Sequence, residues 1–210
     1  MTEREKMFAG LVYDPFSEGM PEQRTIAHRL CLRYNQTTEE DEELRNEILD
    51  QLMPNRGEGI YLQGPIQFDF GIHTTMGKGS YANFNFTVLD EAKVTIGSSV
   101  FIGPNVSLLT PIHPLCWQDR NAFFNEKTGV VTNLERAGAI TIGDNCWLGG
   151  NVTVCGGVTI GEGCVIGAGS VVTRDIPPNS LAAGNPCRVI RQITEADLWQ
   201  NHPEYYADET

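Results

Sequence analysis

The stretch Ile140–Thr173, read in sixes as ITIGDN CWLGGN VTVCGG VTIGEG CVIGAG SVVT, decides the fold. A branched apolar residue recurs at every sixth place: Ile142, Leu148, Val154, Ile160, Ile166 and Val172. Two places before each stands a second small or apolar residue: Ile140, Cys146, Val152, Val158, Cys164 and Ser170. A period of six cannot be an amphipathic helix, whose apolar stripe recurs near 3.6 residues. Residues i and i−2 share one face of a strand, so the pattern fits short strands that each end at a corner. The glycine that often follows the branched residue permits either a positive φ or close backbone packing there. Stacked coils of this kind make a parallel β-solenoid with an Ile/Val/Leu ladder inside.

Working outward, the same beat runs through Val94/Ile96, Val100/Ile102 and Val106/Leu108. Extended further back it predicts inward positions at Phe84, Ile72 and Ile66, with Lys78 and Asp90 interrupting it. Leu108 and Ile142 lie 34 residues apart, which is not a multiple of six, so an excursion over about 111–138 leaves the solenoid and returns. It carries Trp117, Phe123 and Phe124 beside Asp119, Arg120, Glu126 and Lys127. A loop this long with its own aromatics is expected to be packed and functional. Residues 1–58 read as a helical module, 59–193 as the solenoid and 194–210 as a tail. One helix opens at Pro21-Glu22 with Ile26, Leu30 and Tyr34 on its apolar face; a second, Asp41 to Met53, presents Leu44, Ile48 and Leu52. In the tail, Thr194 caps one short helix towards Leu198-Trp199.

The 210 residues include 15 Lys plus Arg against 27 Asp plus Glu, a formal net charge of −12. That field repels polyanions and argues against nucleic-acid binding. No apolar run reaches the roughly 20 residues of a membrane span, and the start lacks the apolar core of a signal peptide. The six cysteines (Cys31, Cys116, Cys146, Cys155, Cys164 and Cys187) include no C-x-x-C pair. They read as reduced thiols of a cytoplasmic protein, Cys146 and Cys164 standing where other repeats have Val or Ile. Of the four histidines, His28 reads as helix surface and His202 as tail, and His73 lies in the solenoid. His113, in Thr110-Pro111-Ile112-His113-Pro114, marks the excursion's exit. Position alone leaves it either a turn residue or a reactive group.

Three segments carry a resemblance: Tyr81-Ala82-Asn83-Phe84-Asn85-Phe86, the Thr110–Pro114 exit, and Ala183-Gly184-Asn185-Pro186-Cys187-Arg188-Val189-Ile190. With Phe8-Ala9-Gly10, Tyr13-Asp14-Pro15 and Pro21-Glu22-Gln23-Arg24, the chain resembles the maltose/galactoside O-acetyltransferases over almost its whole length. The resemblance implies a mainly β fold, a left-handed parallel β-helix of hexapeptide repeats. It also implies acetyl transfer from acetyl-CoA to a sugar hydroxyl, in homotrimers with active sites between subunits and no metal. The family's catalytic histidine falls on His113, which suits an alcohol that needs a base during attack. Glu135 resembles the acidic residue that orients it. Acceptor contacts carry over to Asp14, Asn83 and the pair Asp90-Glu91; the alternatives are that Asn83 caps a turn and that Asp90 only tolerates a corner. Asp69 stands where galactoside enzymes often hold a small hydroxyl residue, which puts a galactoside acceptor in doubt. The pantetheine arm is placed beside Trp147, Gly150 and Ala168, and the phosphates near Thr173, Arg174, Arg188 and Arg191.

Competing readings are a non-sugar acceptor, a non-catalytic solenoid scaffold, and a zinc-dependent carbonic anhydrase of the same fold. The last needs several histidines converging on one metal, and the solenoid offers only His73 and His113.

Overall fold

The computed structural model describes residues 1–17, 19–126 and 128–206. Lys127 of the excursion therefore lies outside the described residues. The chain is mainly β, a solenoid of about six coils whose strands stack into three sheets of seven, five and four strands. The first face carries Tyr61–Leu62, Tyr81–Ala82, Phe101–Ile102, Trp147–Leu148, Val165–Ile166 and Ser180–Gly184 in parallel. The second runs from Ile66–Phe68 to Val171–Val172, and the third from Thr74–Met76 to Thr159–Ile160. One core fills the prism, and the six-residue beat over Ile140–Val172 is buried throughout.

The glycines after the branched residues realise close packing, not positive φ. A Cβ on Gly97, Gly143 or Gly161 would lie within 2.6 Å of backbone nitrogen in the next coil. The left-handed conformation falls two residues later, on Ser99, Asn105, Asn145 and Asn151, where asparagine tolerates it.

Upstream the beat fails, and for a definite reason. Tyr81 pairs with Phe101 twenty residues on, whereas Trp147 pairs with Val165 only eighteen on. The early coils hold two extra residues, so the inward positions are Ala82, Phe86 and Val88. Phe84 and Ile72 point outward, while Ile66 stays inside. The extra residues lie at the corner between the second and third faces. The excursion leaves from that same corner one coil later.

Two helices, α2 (Met20–Tyr34) and α3 (Glu42–Leu52), cover the first coil, while α1 (Glu3–Phe8) packs through Met7 with Phe70, Ala92 and Ala137 beside the neck. Tyr34 donates its hydroxyl to the Leu62 carbonyl at 2.6 Å, and Asn35 brackets Ile66, donating to its carbonyl and accepting from its N–H. The buried faces are Met20, Ala27, Leu30, Cys31 and Tyr34 on α2, and Ile48, Leu49 and Leu52 on α3. Ile26 and Leu44, expected inside, are exposed, because each helix turns its i+1 neighbour (Ala27, Arg45) inward. At the other end Cys187–Gln192 returns antiparallel and covers the last edge of the first face. Among its described residues the tail makes three short 3₁₀ turns, not one helix; Thr194 does cap the first, in a box with Asp197. All six cysteines are unbridged, and the buried Cys146 and Cys164 each donate Sγ–H to a carbonyl at 3.1 Å. Among the described residues no helix is long and apolar enough to cross a membrane.

Candidate active site

The excursion has a two-stranded neck. Pro111–Ile112 pairs antiparallel with Arg136–Ala137, Ile112 opposite Arg136. Such pairing brings the next residue on one strand, His113, level with the preceding residue on the other, Glu135. His113 Nε2 and Glu135 Oε2 stand 3.6 Å apart, an ion-pair distance slightly longer than a hydrogen bond. Glu135 in turn bridges to the leader, exchanging backbone hydrogen bonds with Tyr13 at 3.0 and 3.2 Å. The Tyr13 hydroxyl donates to Glu135 Oε1 at 2.6 Å. Burial and the adjacent Glu135 carboxylate push the Tyr13 phenol upward, so it keeps its proton and remains a donor. Glu135 is thus fixed by Tyr13 through one oxygen and offers the other to His113. Its side chain is 8% exposed, that of His113 50%. Both line a cavity of about 750 Å³ walled by Val12, Leu115, Phe123 and Leu134.

Asp14 is drawn to the same assembly. Its carboxylate accepts from Thr132 Oγ1 at 2.6 Å and Phe16 N–H at 2.9 Å, and meets Asn125 Nδ2 at 3.4 Å. Below the neck, the corner between the second and third faces gathers Asp69, Asp90 and Glu91. Asp90 is fully buried and accepts from Phe70 N–H, Gly71 N–H and Thr74 Oγ1 at 2.8–3.1 Å. Burial pushes its carboxyl up against these donors. Its oxygens hold the corner together. His73 donates from Nδ1 to the Asp90 carbonyl at 2.7 Å and stacks on Phe70; burial depresses its pKa and keeps it neutral. Glu91 is buried too. Desolvation pushes its carboxyl up to about 9, with the neighbouring Asp69 carboxylate adding to the rise. Asp69 Oδ1 meets His28 Nε2 of α2 at 3.2 Å, so His28 is on the helix surface yet engaged with this corner.

Asn83, Trp147, Gly150 and Ala168 come together elsewhere. With Tyr81, Phe101 and Pro104 they line a second cavity of about 530 Å³ along the first face. Asn83 Oδ1 accepts from Phe84 N–H at 2.8 Å. The two cavities share no lining residue, and the neck lies at the prism corner opposite the first face. Thr173, Arg174, Arg188 and Arg191 are all exposed at the last coil, on different sides of it: the first two follow the second-face strand, the arginines of the returning strand flank the first face. Arg191 is held by Asp197 at 2.6 and 2.8 Å.

Tyr13, Thr132 and Asn125 were not singled out by sequence. Tyr13 lay within the Tyr13-Asp14-Pro15 motif and could have been; nothing local marks the other two. Among the described residues no group of three His, Cys, Asp or Glu side chains is arranged to hold a metal ion.

A parallel solenoid of hexapeptide repeats interrupted by one inserted loop is the architecture of the hexapeptide-repeat acyltransferases. The repeats match the model of the bacterial transferase hexapeptide (six repeats) over residues 139–174, and the leader matches the maltose acetyltransferase hexapeptide capping motif over 6–57. The galactoside O-acetyltransferase of Escherichia coli K12 is 39% identical over 205 residues, covering 98% of this chain and 95% of that one. A maltose O-acetyltransferase from Clostridium difficile 630 superposes with a TM-score of 0.83 at 40% identity, over 93% of this chain and 99% of that one. A galactoside acetyltransferase in complex with coenzyme A gives 0.85 at 37% identity, over 99% and 97% of the respective chains. The chain belongs to the maltose/galactoside O-acetyltransferase family.

Proposed function

We propose that the protein transfers the acetyl group of acetyl-CoA to a sugar hydroxyl, with His113 as general base. The observation that carries this is the Tyr13–Glu135–His113 series at the mouth of the excursion's cavity. The coenzyme A complex of the similar galactoside acetyltransferase and the acetyl-CoA complex of a Vibrio cholerae acetyltransferase (34% identical) support the choice of donor.

In this reading the acceptor oxygen attacks the thioester carbonyl carbon while the His113 ring nitrogen turned away from Glu135 takes the hydroxyl proton. Glu135 fixes the ring and stabilises the imidazolium that forms. Collapse of the tetrahedral intermediate breaks the C–S bond, and His113 returns the proton to the thiolate, giving an ester and free CoA. Asp14, Asp69 and Glu91 lie on the acceptor side of the neck, where Glu91 in its neutral form can donate to a sugar oxygen. Asp90 acts by shaping that corner. Trp147, Gly150 and Ala168 form the groove for the pantetheine arm, with Asn83 at its end. Arg188 and Arg191, on the returning strand beside the groove's face, supply local positive charge for the phosphates, which can override a mean charge of −12. Thr173 and Arg174, on another side of the last coil, would reach them from a neighbouring subunit.

His113 and the groove stand on opposite sides of one prism. A working site therefore pairs the neck of one subunit with the groove of the next, as in a homotrimer. The reading places the enzyme in the cytoplasm, where acetyl-CoA and reduced thiols coexist.

The test follows free thiol while the protein is incubated with acetyl-CoA and a panel of sugars. Sugar-dependent release that falls at least about 100-fold in His113→Ala is expected. Release with no sugar in the panel, or undiminished release in the variant, rejects the mechanism. A scaffold would bind no CoA, so the thermal shift with CoA separates that alternative.

A further inference from the structure

Away from both cavities, a third of about 410 Å³ opens between α2, α3 and the first coil. Its floor is Arg45, only 7% exposed. Among the described residues every acceptor Arg45 meets is neutral: Thr37 Oγ1 at 2.9 Å, the Thr37 and Gln63 carbonyls at 3.4 and 3.5 Å, and the Tyr61 hydroxyl at 3.4 Å. Beside it Arg56 holds Asp50 through Nη2 at 2.6 Å, while its Nε is buried with no hydrogen-bond partner among the described residues.

The rim carries the opposite character. Glu39, whose carboxylate accepts from Gln63, stands there with Glu42 and Asn46, all exposed. One wall is aromatic. Tyr61 stacks on Tyr81 with ring centroids 5.9 Å apart and planes 4° from parallel, and its strand is the edge of the first face, so no further coil covers the ring's other side.

Two carboxylates at the mouth oppose an inorganic anion, and two guanidinium groups waste their donors on a hydrocarbon. A pyranose meets all three demands. Its ring and hydroxyl oxygens accept from the guanidinium N–H groups, its hydroxyls donate to the carboxylates, and its C–H face packs on tyrosine.

We propose that this cavity is a saccharide-binding site separate from the site of acyl transfer. It holds one hexopyranose unit between Arg45, Arg56 and Tyr61. Binding here needs neither acetyl-CoA nor His113.

Calorimetric titration of the full chain with maltose, without CoA, tests it. A binding component is expected that weakens at least about tenfold in Arg56→Gln and in Tyr61→Ala and persists unchanged in His113→Ala. Thermal melting of each variant establishes folding; if Tyr61→Ala does not fold, Arg56→Gln decides. No maltose binding, binding indifferent to Arg56→Gln, or sulfate bound in this cavity in place of maltose overturns the proposal. Failure of acetyl transfer would show separately, as absent thiol release with this binding intact.

Discussion

Glu135 gives the candidate site its sharpest residue-level test, because its two oxygens serve different partners. Tyr13→Phe removes one hydroxyl and leaves Glu135 Oε1 buried without its 2.6 Å donor. A hydrogen bond to a charged group is worth about 1.5–3 kcal/mol, so a fall in kcat of about tenfold or more is expected, with KM for acetyl-CoA unchanged. Steady-state kinetics decide it; an unaltered kcat would mean that the Tyr13 hydroxyl is not what holds Glu135 for His113. Glu91 makes a stability prediction. Its carboxyl has an ordinary value of 4.5 and is raised in the fold to about 9. Between those values the folded state keeps the proton and the unfolded state loses it, so stability falls as pH rises through that window. Glu91→Gln removes the penalty. Urea midpoints should show the variant more stable at pH 8 by at least about 1 kcal/mol, with the gain shrinking towards pH 5. An equal gain at both pH values would show that Glu91 carries no retained proton. Residues of this kind were only half legible in the sequence. His113 announced itself by its place at the exit of a broken repeat, and Asp69 by its departure from a family pattern. Tyr13 reaches Glu135 across 122 residues, and no local period records so distant a pairing.

At the scale of elements, the period of six fixes the faces wherever coils are eighteen residues long. It misplaces Phe84 and Ile72 where two extra residues enter a corner, because a slip of two leaves strand alternation intact and so leaves no local warning. Helix faces were less legible still: α2 and α3 are each buried by a coil and a second helix, and two partners broaden the stripe that one would define. The joint between module and solenoid is built at Gly71. Its φ is +70°, and a Cβ there would stand 2.5 Å from both Cδ1 and the carbonyl oxygen of Leu52. Gly71→Ala combines left-handed strain with a backbone clash, and a loss of about 2–4 kcal/mol in chemical denaturation is expected. Asn35→Ala, which strips both bonds to Ile66, should cost about 1–3 kcal/mol by the same measurement. A neutral outcome in both would mean that the helices fold apart from the first coil.

For the whole molecule, the three-sided section dictates where a site can form. The second and third faces meet at the corner that releases the neck, while Trp147 stands on the first face across a core of packed Ile, Val and Leu. No rotamer of His113 spans that core. If the reaction joins the neck to the groove, it joins two chains, and subunit mixing reveals it. His113→Ala and Trp147→Ala should each be nearly inactive alone. Denatured together in equal amounts and refolded, they form mixed assemblies in which half the necks and half the grooves are intact. Random pairing across interfaces then restores about a quarter of wild-type activity, provided each neck meets a neighbour's groove. Were neck and groove of one chain to act together, every chain would carry one defect and the mixture would stay inactive. The thiol-release rate of the refolded mixture, set against each variant refolded alone, separates a site shared between subunits from one contained within a subunit.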